Sequence, residues 1–242
     1  MLLRLPTSVS EAQEYMAQGA VPVGGATLVW AAWQRDGFPE LAMSLRELPE
    51  ANAIGHGELG AAVVLHRIDG RVPETLHRAA AMVGTGAVRR TATVGGNLVG
   101  STLRCLLPAA LVLDARAVIL ERDAVYETEL AGVVDKHPLL LGLRWQEPAV
   151  SAYDKHTAAP GGPPPLVVAS AVHADGEGEG RLRVAVRDGY EVLSGSATRP
   201  DGVGTGHVLH ALRDTAVGQL PADAWDAVCR HVSDLLDRLS AR

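Results

Sequence analysis

The sequence predicts a chain of mixed α and β structure, and three observations carry that expectation. Ser8 followed by Glu11 forms a capping box ahead of an apolar helical stripe. Two strand-like runs, Leu166 to Ala174 and Arg181 to Arg187, flank a turn-rich stretch and read as an antiparallel hairpin. Behind Pro221 and Asp223, the residues Trp225, Val228, Val232, Leu235, Leu236 and Leu239 fall on one helical face that must pack on something.

In chain order, the capping box opens a helix through Ala12, Tyr15 and Met16 that Gly19 stops. Val21 and Val23 lead as a strand into Gly24-Gly25, and a second helix runs from Leu28 to Gly37. Apolar runs at Leu41 to Leu45 and at Leu59 to Leu65 read as strands. Leu76, Ala79, Ala80 and Val83 recur at helical spacing within Glu74 to Val88. After Gly95-Gly96 comes a helix around Pro108 to Asp114 and a strand from Ala117 to Glu121. The hairpin turns through Asp175-Gly176-Glu177-Gly178-Glu179-Gly180, and its second strand alternates apolar residues with arginines, as a half-exposed strand does. A change of texture places the main domain boundary near Leu143.

Composition excludes several functions. The 242 residues can bury a core, and the net charge of −6, with 20 Arg and 2 Lys scattered singly, provides no basic stripe for nucleic acid. The longest apolar stretch, Cys105 to Leu113, is too short for a membrane span and contains Pro108. A signal-peptide pattern is missing from the N-terminus, which sets the cytoplasm as the expected compartment. With only Cys105 and Cys229, more than a hundred positions apart, the chain alone cannot ligate an iron–sulfur cluster. Cys105 reads as a small buried core residue close to the second glycine pair.

Two Gly-Gly pairs carry the chemistry. A glycine pair between a strand and a helix lets the backbone adopt positive φ or approach a ligand closely, and successive N–H groups then face an anion such as a pyrophosphate. Gly24-Gly25 runs on through Ala26 and Thr27 to Leu28, and Gly95-Gly96 through Asn97 to Leu98. If both serve one extended dinucleotide, they converge on one cleft although they lie about seventy positions apart. Other signals are weaker. His207 and His210 follow Gly204 and Gly206, which suggest a loop, and no third metal ligand is evident. Gly84-Thr85-Gly86 lacks the third glycine of a dinucleotide fingerprint and follows a helix, and Ser194-Gly195-Ser196 lacks the setting of a nucleophile elbow.

Val23-Gly24-Gly25-Ala26-Thr27-Leu28 resembles the A-G-G-T-D-L turn of the flavin subunits of molybdenum hydroxylases, the xanthine and carbon monoxide dehydrogenase family. Arg89 through Leu98 resembles that family's R-x-x-A-T-x-G-G-N-L, with Leu113-Asp114-Ala115 following at nearly its distance, and Tyr153-Asp154-Lys155 resembles its Y-x-K. The chain looks like a divergent, compact member. The resemblance implies an α+β fold: a p-cresol methylhydroxylase-type FAD-binding domain of two small α+β parts over residues 1–143, split near 55, then an α+β C-terminal domain over 144–242. It implies FAD as cofactor, with the amides of Gly24, Gly25 and Ala26 and the turn Thr93 to Asn97, including Gly95 and Gly96, at the pyrophosphate and ribityl regions. Val23, Thr27, Leu28 and Val99 would lie nearby, and Lys155 near the flavin ring, where the alternative is a solvated surface lysine.

Two departures stand out. Ala26 and Thr27 replace the threonine and the acidic or amide residue of the first turn, and Val99 to Leu107 lacks the family's aspartate, so Ser101, Thr102 or Arg104 would substitute. The implied function is an electron-transferring flavin subunit alongside molybdopterin and iron–sulfur subunits, passing electrons to a small-molecule acceptor. The alternatives are a stand-alone FAD oxidoreductase acting on a small organic molecule and a flavin-free binding or assembly module.

Overall fold

The computed structural model describes residues 1–157, 161–175, 179–199 and 204–241. The chain forms two compact units that interleave in sequence: residues 1–72, 83–106 and 115–145 make the first, and 73–82, 107–114 and 146–242 the second.

The first unit begins with β1 (Leu2–Arg4), α1 (Val9–Ala17) and β2 (Val21–Pro22). Ser8 caps α1 by accepting from the Glu11 amide at 3.2 Å, while the Glu11 carboxylate reaches back to the Thr7 amide at 2.8 Å. The reciprocal bond of the capping box is thus displaced by one residue. Gly19, at φ 84°, ends the helix as its lack of a Cβ allows. After α2 (Val29–Asp36), β3 (Leu41–Met43) pairs in parallel with both β1 and β2, in the order β1-β3-β2. The second sheet of this unit comprises β4 (Ile54–Gly55), β5 (Glu58–Gly60), β6 (Arg116–Leu120), β7 (Val125–Glu129) and β8 (Leu140–Arg144), ordered β4-β5-β8-β6-β7. Ala12, Met43, Leu45, Leu48, Leu120 and Leu141 form a buried cluster in this unit.

In the second unit an antiparallel sheet of β9 (Val150–Lys155), β10 (Val167–Asp175), β11 (Glu179–Asp188) and β12 (Glu191–Arg199) runs in the order β12-β11-β10-β9. Its helices are α3 (Glu74–Ala81), α5 (Leu107–Val112), α6 (Thr205–Arg213) and α7 (Ala222–Ser240). The α7 stripe packs Val228, Val232, Leu235 and Leu236 against Val168, Val184 and Val186 of the sheet. Each such branched side chain contributes about 1.5–3 kcal/mol by leaving water.

Several elements differ from the sequence reading. The single helix expected over Glu74 to Val88 is two, α3 and α4 (Gly86–Thr91), because Gly84 turns left-handed at φ 46° and the Thr85 hydroxyl caps the new start by accepting from the Val88 amide at 3.4 Å. Of Leu59 to Leu65 only the first residues are strand; the chain then forms a single bridge between Val64 and Thr93 and a 3₁₀ turn at Leu65–Arg67. The strand expected through Leu45 stops at Met43, with a 3₁₀ turn from Leu45. His207 and His210 sit on α6 rather than in a loop.

The strand from Arg181 is less exposed than its alternation suggests. Arg187 is buried, with one Nη donating to the Pro165 carbonyl at 2.9 Å, and Ala185 is buried too, because helices cover the sheet there. Residues 176–178 of the expected hairpin turn lie outside the described residues, although β10 and β11 pair on either side of it. Among the described residues, no helix is long and apolar enough to cross a membrane.

Candidate functional site

The first glycine turn leaves β2 and is anchored by the Val23 amide, which donates to the Met43 carbonyl at 2.8 Å. From Gly24 to Thr27 the amides have no hydrogen-bond acceptor among the described residues, and the turn is exposed or half-buried. Ala26 adopts φ 55°, a left-handed conformation that costs a non-glycine residue about 1–2 kcal/mol. Successive free N–H groups around a left-handed residue form the kind of concavity that binds anions. The turn runs directly into α2, none of whose residues is buried; Leu28, Trp30 and Phe38 are exposed, with the Trp30 and Phe38 rings edge to face at 5.2 Å.

The second turn is built differently. Its amides are already committed: Val94 donates to Val63, Gly95 to Ala61 at 2.9 Å and Asn97 to the Thr93 carbonyl at 2.9 Å, while the Gly96 amide donates to Thr93 Oγ1 at 3.2 Å. Gly96–Gly100 winds as a π-helical turn, a wide geometry frequent at functional sites. Asn97 is buried, and its Oδ1 accepts from the Leu106 amide at 2.9 Å, which folds the following loop back onto the turn. Cys105 is buried in that loop.

The two turns touch. A Cβ on Gly25 would lie 1.7 Å from the Thr91 carbonyl oxygen, and one on Gly24 would lie 2.5 Å from Thr93 Oγ1. Gly100 faces Leu28, with 3.9 Å between a built Cβ and Leu28 Cδ1. Neither Gly24, Gly25, Gly95 nor Gly96 has a positive φ. Gly25 therefore serves close approach of backbone to backbone, Gly24 and Gly96 make room for the Thr93 side chain and Gly95 for Ala61, and the left-handed position of the first turn falls on Ala26.

Beyond the second turn, Ser101 Oγ accepts from the Leu103 amide at 3.2 Å, Thr102 is exposed, and Arg104 pairs with Asp135 at 2.5 Å. The His137 ring nitrogen Nδ1 meets the Val99 carbonyl oxygen. Nothing in the sequence pattern points to Asp135 or His137, since each lies over thirty residues from its partner in an unremarkable loop. Lys155 belongs to the second unit, where its ammonium donates to the Met82 carbonyl at 2.8 Å.

The second unit also contains a polar chain, running from buried Ser170 and His231 to half-exposed Asp154, that sequence reasoning missed. His231 Nε2 lies 2.8 Å from Ser170 Oγ, and its Nδ1 lies 2.7 Å from Asp154 Oδ2. The hydrogen bond from His231 holds the Asp154 carboxyl below the usual carboxylate range, against the opposing effect of partial burial. Ser170 is fully buried, so this Ser–His–Asp series ties α7 to β9 and β10 instead of offering a nucleophile. Its one sequence signal is a histidine inside the apolar stripe of α7. Among the described residues, no group of three or more His, Cys, Asp or Glu is placed to hold a metal ion.

A family model describing the FAD-binding domain in molybdopterin dehydrogenase matches residues 3–138, more than half of the chain and both glycine turns. The chain belongs to this family of FAD-binding domains. FAD is accordingly its cofactor, and the free amides of the first turn suit a dinucleotide's diphosphate. The fold is also found among solved structures. A chain of quinoline 2-oxidoreductase from Pseudomonas putida 86 superposes with a TM-score of 0.74 at 16% identity, over 98% of this chain and 97% of that one. A chain of reconstituted CO dehydrogenase from Oligotropha carboxidovorans gives 0.71 at 16% identity, over 99% and 97%. One of the cyanide-inactivated Cu,Mo-CO dehydrogenase gives 0.71 at 15%, again over 99% and 97%. The likeness in α+β fold therefore extends past the FAD-binding domain into the C-terminal part. No curated protein sequence matches the chain.

Proposed function

We propose that this flavoprotein is the electron-transferring subunit of a molybdenum hydroxylase, receiving electrons from iron–sulfur and molybdopterin partners and delivering them to a small-molecule acceptor. The observation that carries the reading is the run of unpaired amides from Gly24 to Thr27, pressed through two side-chain-free positions onto the second turn. Within that reading the amides of Gly24, Gly25, Ala26 and Thr27 hold the diphosphate, the role to which free N–H groups are suited. Val23, Leu28 and Val99 line the apolar flank. Gly95, Gly96 and Asn97 act mainly as scaffold, since their amides and the Asn97 side-chain oxygen already have partners, and Thr93 belongs with them because its carbonyl and Oγ1 accept from the Asn97 and Gly96 amides. Ser101 and Thr102 border the same turn, whereas Lys155 belongs to the other unit and its ammonium is engaged by the Met82 carbonyl. When bound, FAD supplies the capacity to exchange electrons singly or in pairs.

Two features support a partnered role. The two cysteines of these 242 residues cannot ligate a cluster, so the iron–sulfur clusters of this reading lie outside them. Solved structures that share this fold include chains of quinoline 2-oxidoreductase and of a Cu,Mo-CO dehydrogenase. The test is purification of the tagged chain from its native cells under gentle conditions, with flavin, iron and molybdenum measured in what co-elutes. Stoichiometric iron and molybdenum supports the subunit role; a yellow protein that elutes alone and oxidises a small organic molecule refutes it.

A further inference from the structure

The five-stranded sheet of the first unit is covered over only part of one face. α1 and the 3₁₀ turn at Glu50–Asn52 pack there through Ala12 and Ala51, which join Leu120 and Leu141 in one cluster. Beside them lies a cleft of about 390 Å³, within the size range of small-molecule sites. Its apolar wall is Val9, Val118, Val125 and Leu141, and Val125 keeps 44% of its surface exposed. Gly60 of β5 and Gly142 of β8 are cross-strand partners at the cleft and supply no side chain to fill it. Glycine inside a strand weakens it and marks a place where a ligand or another backbone comes close. At Gly60 the Ala51 backbone does so, since a Cβ there would lie 2.3 Å from the Ala51 carbonyl oxygen, and this brings Glu50 to the rim.

The charges of the rim are unbalanced. Glu50, Glu58 and Arg144 line the cleft. Arg144 is already neutralised, with its Nη1 donating to Glu127 Oε1 at 2.5 Å. The Glu50 and Glu58 carboxylates have neither ion pair nor hydrogen-bond donor among the described residues. Two uncompensated carboxylates beside an apolar wall complement a cation that carries an apolar body, and they oppose an anion of the same shape.

We propose that this cleft is a second ligand site, which takes a small organic cation. The apolar body of an amine lies on Val9, Val118, Val125 and Leu141 while its ammonium faces Glu50 and Glu58. The lining includes no residue of either glycine turn, so this ligand is not the flavin and the proposal stands apart from the cofactor reading.

The experiment titrates the full chain, as purified, with n-hexylamine, n-hexanol and hexanoate, which share an apolar body and differ in head group. Methyl NMR signals of Val9, Val118, Val125 and Leu141 are followed throughout. Saturable shifts at these residues are expected, with the protonated amine bound at least about threefold more tightly than the alcohol and the carboxylate weakest. An exposed charge pair contributes a factor of about 1.4–5, so the double variant Glu50→Gln/Glu58→Gln is expected to weaken amine binding about fivefold and to leave the alcohol unchanged. Val125→Trp, which fills the cleft from an exposed position, is expected to abolish binding of all three probes. Equal affinity across the head groups overturns the proposal, as does unchanged amine affinity in the double variant or unchanged binding in Val125→Trp. Absence of saturable shifts at the four residues of the wild-type chain overturns it as well, and this last result does not depend on any variant folding.

Discussion

Replacing Gly25 by alanine isolates the contact on which the site depends. The added Cβ would lie 1.7 Å from the Thr91 carbonyl oxygen, and real contacts of this kind do not fall below 3.0 Å, so the two turns must separate by at least 1.3 Å. The obstacle is backbone and cannot rotate away. Overpacking of this kind costs about 1–3 kcal/mol, and this overlap belongs at the upper end; the stiffer unfolded chain returns about 0.4–1 kcal/mol. The net loss of about 2 kcal/mol corresponds to a melting temperature lower by about 4–8 °C for a chain of this size. A shift above 1 Å also moves the first-turn amides off the second turn that backs them, and so out of the arrangement in which they face a diphosphate together. Flavin content, read as the absorbance ratio of flavin to protein, should therefore fall more steeply than melting temperature. Full flavin occupancy with an unchanged melting temperature would refute the claim that Gly25 exists for this contact.

Three further outcomes follow from the same geometry. Gly24→Ala meets Thr93 Oγ1 at 2.5 Å, a side chain, so the double variant Gly24→Ala/Thr93→Ala should recover part of the flavin content lost in the single variant; additive losses in a double-mutant cycle would contradict it. Gly96→Val should reduce FAD content more than stability, since a Cβ there meets only Thr93 Oγ1 at 3.1 Å, whereas Gly95→Val should damage folding as well because Ala61 lies within 3.1 Å on the protein side; thermal melts and flavin titration on both separate the two. The Asp154 carboxyl, held low by His231, contributes stability that is fully present above its unfolded pKa of about 3.9 and is lost as pH falls through the lower folded value. Melting temperatures measured between about pH 5 and 2 should accordingly fall less steeply for Asp154→Asn than for wild type, and parallel curves would count against the coupling.

The parts of the molecule legible in the sequence were those fixed by local chemistry. Ser8 and Glu11 announce α1, and the stripe of α7 announces its buried face, because capping and helical periodicity act over a few residues. The glycine pairs were visible as a dinucleotide-binding pattern, yet the reason for them was not: positive φ is a local property, whereas the contact of Gly25 with Thr91 arises only when residues 66 positions apart meet. For the same reason Asp135 and His137 could not be read from spacing. Arg187 reads as exposed by alternation and is buried because helices cover the sheet, a tertiary effect that a period-two pattern does not encode. At Gly84 the reverse holds: the apolar helical period runs on in the sequence, while a left-handed glycine and a threonine cap divide the helix.

The central claim is that this chain binds FAD through the amide turn at Gly24 to Thr27. The most direct measurement is the flavin stoichiometry of the purified chain, from its visible spectrum and from mass identification of the dinucleotide released on acid precipitation, with FAD titrated back into the stripped protein. One FAD per chain is expected, recovered on titration and diminished in Gly25→Ala. A colourless chain that stays unliganded when FAD is added, or one that binds FAD equally well with Gly25 replaced, would contradict it.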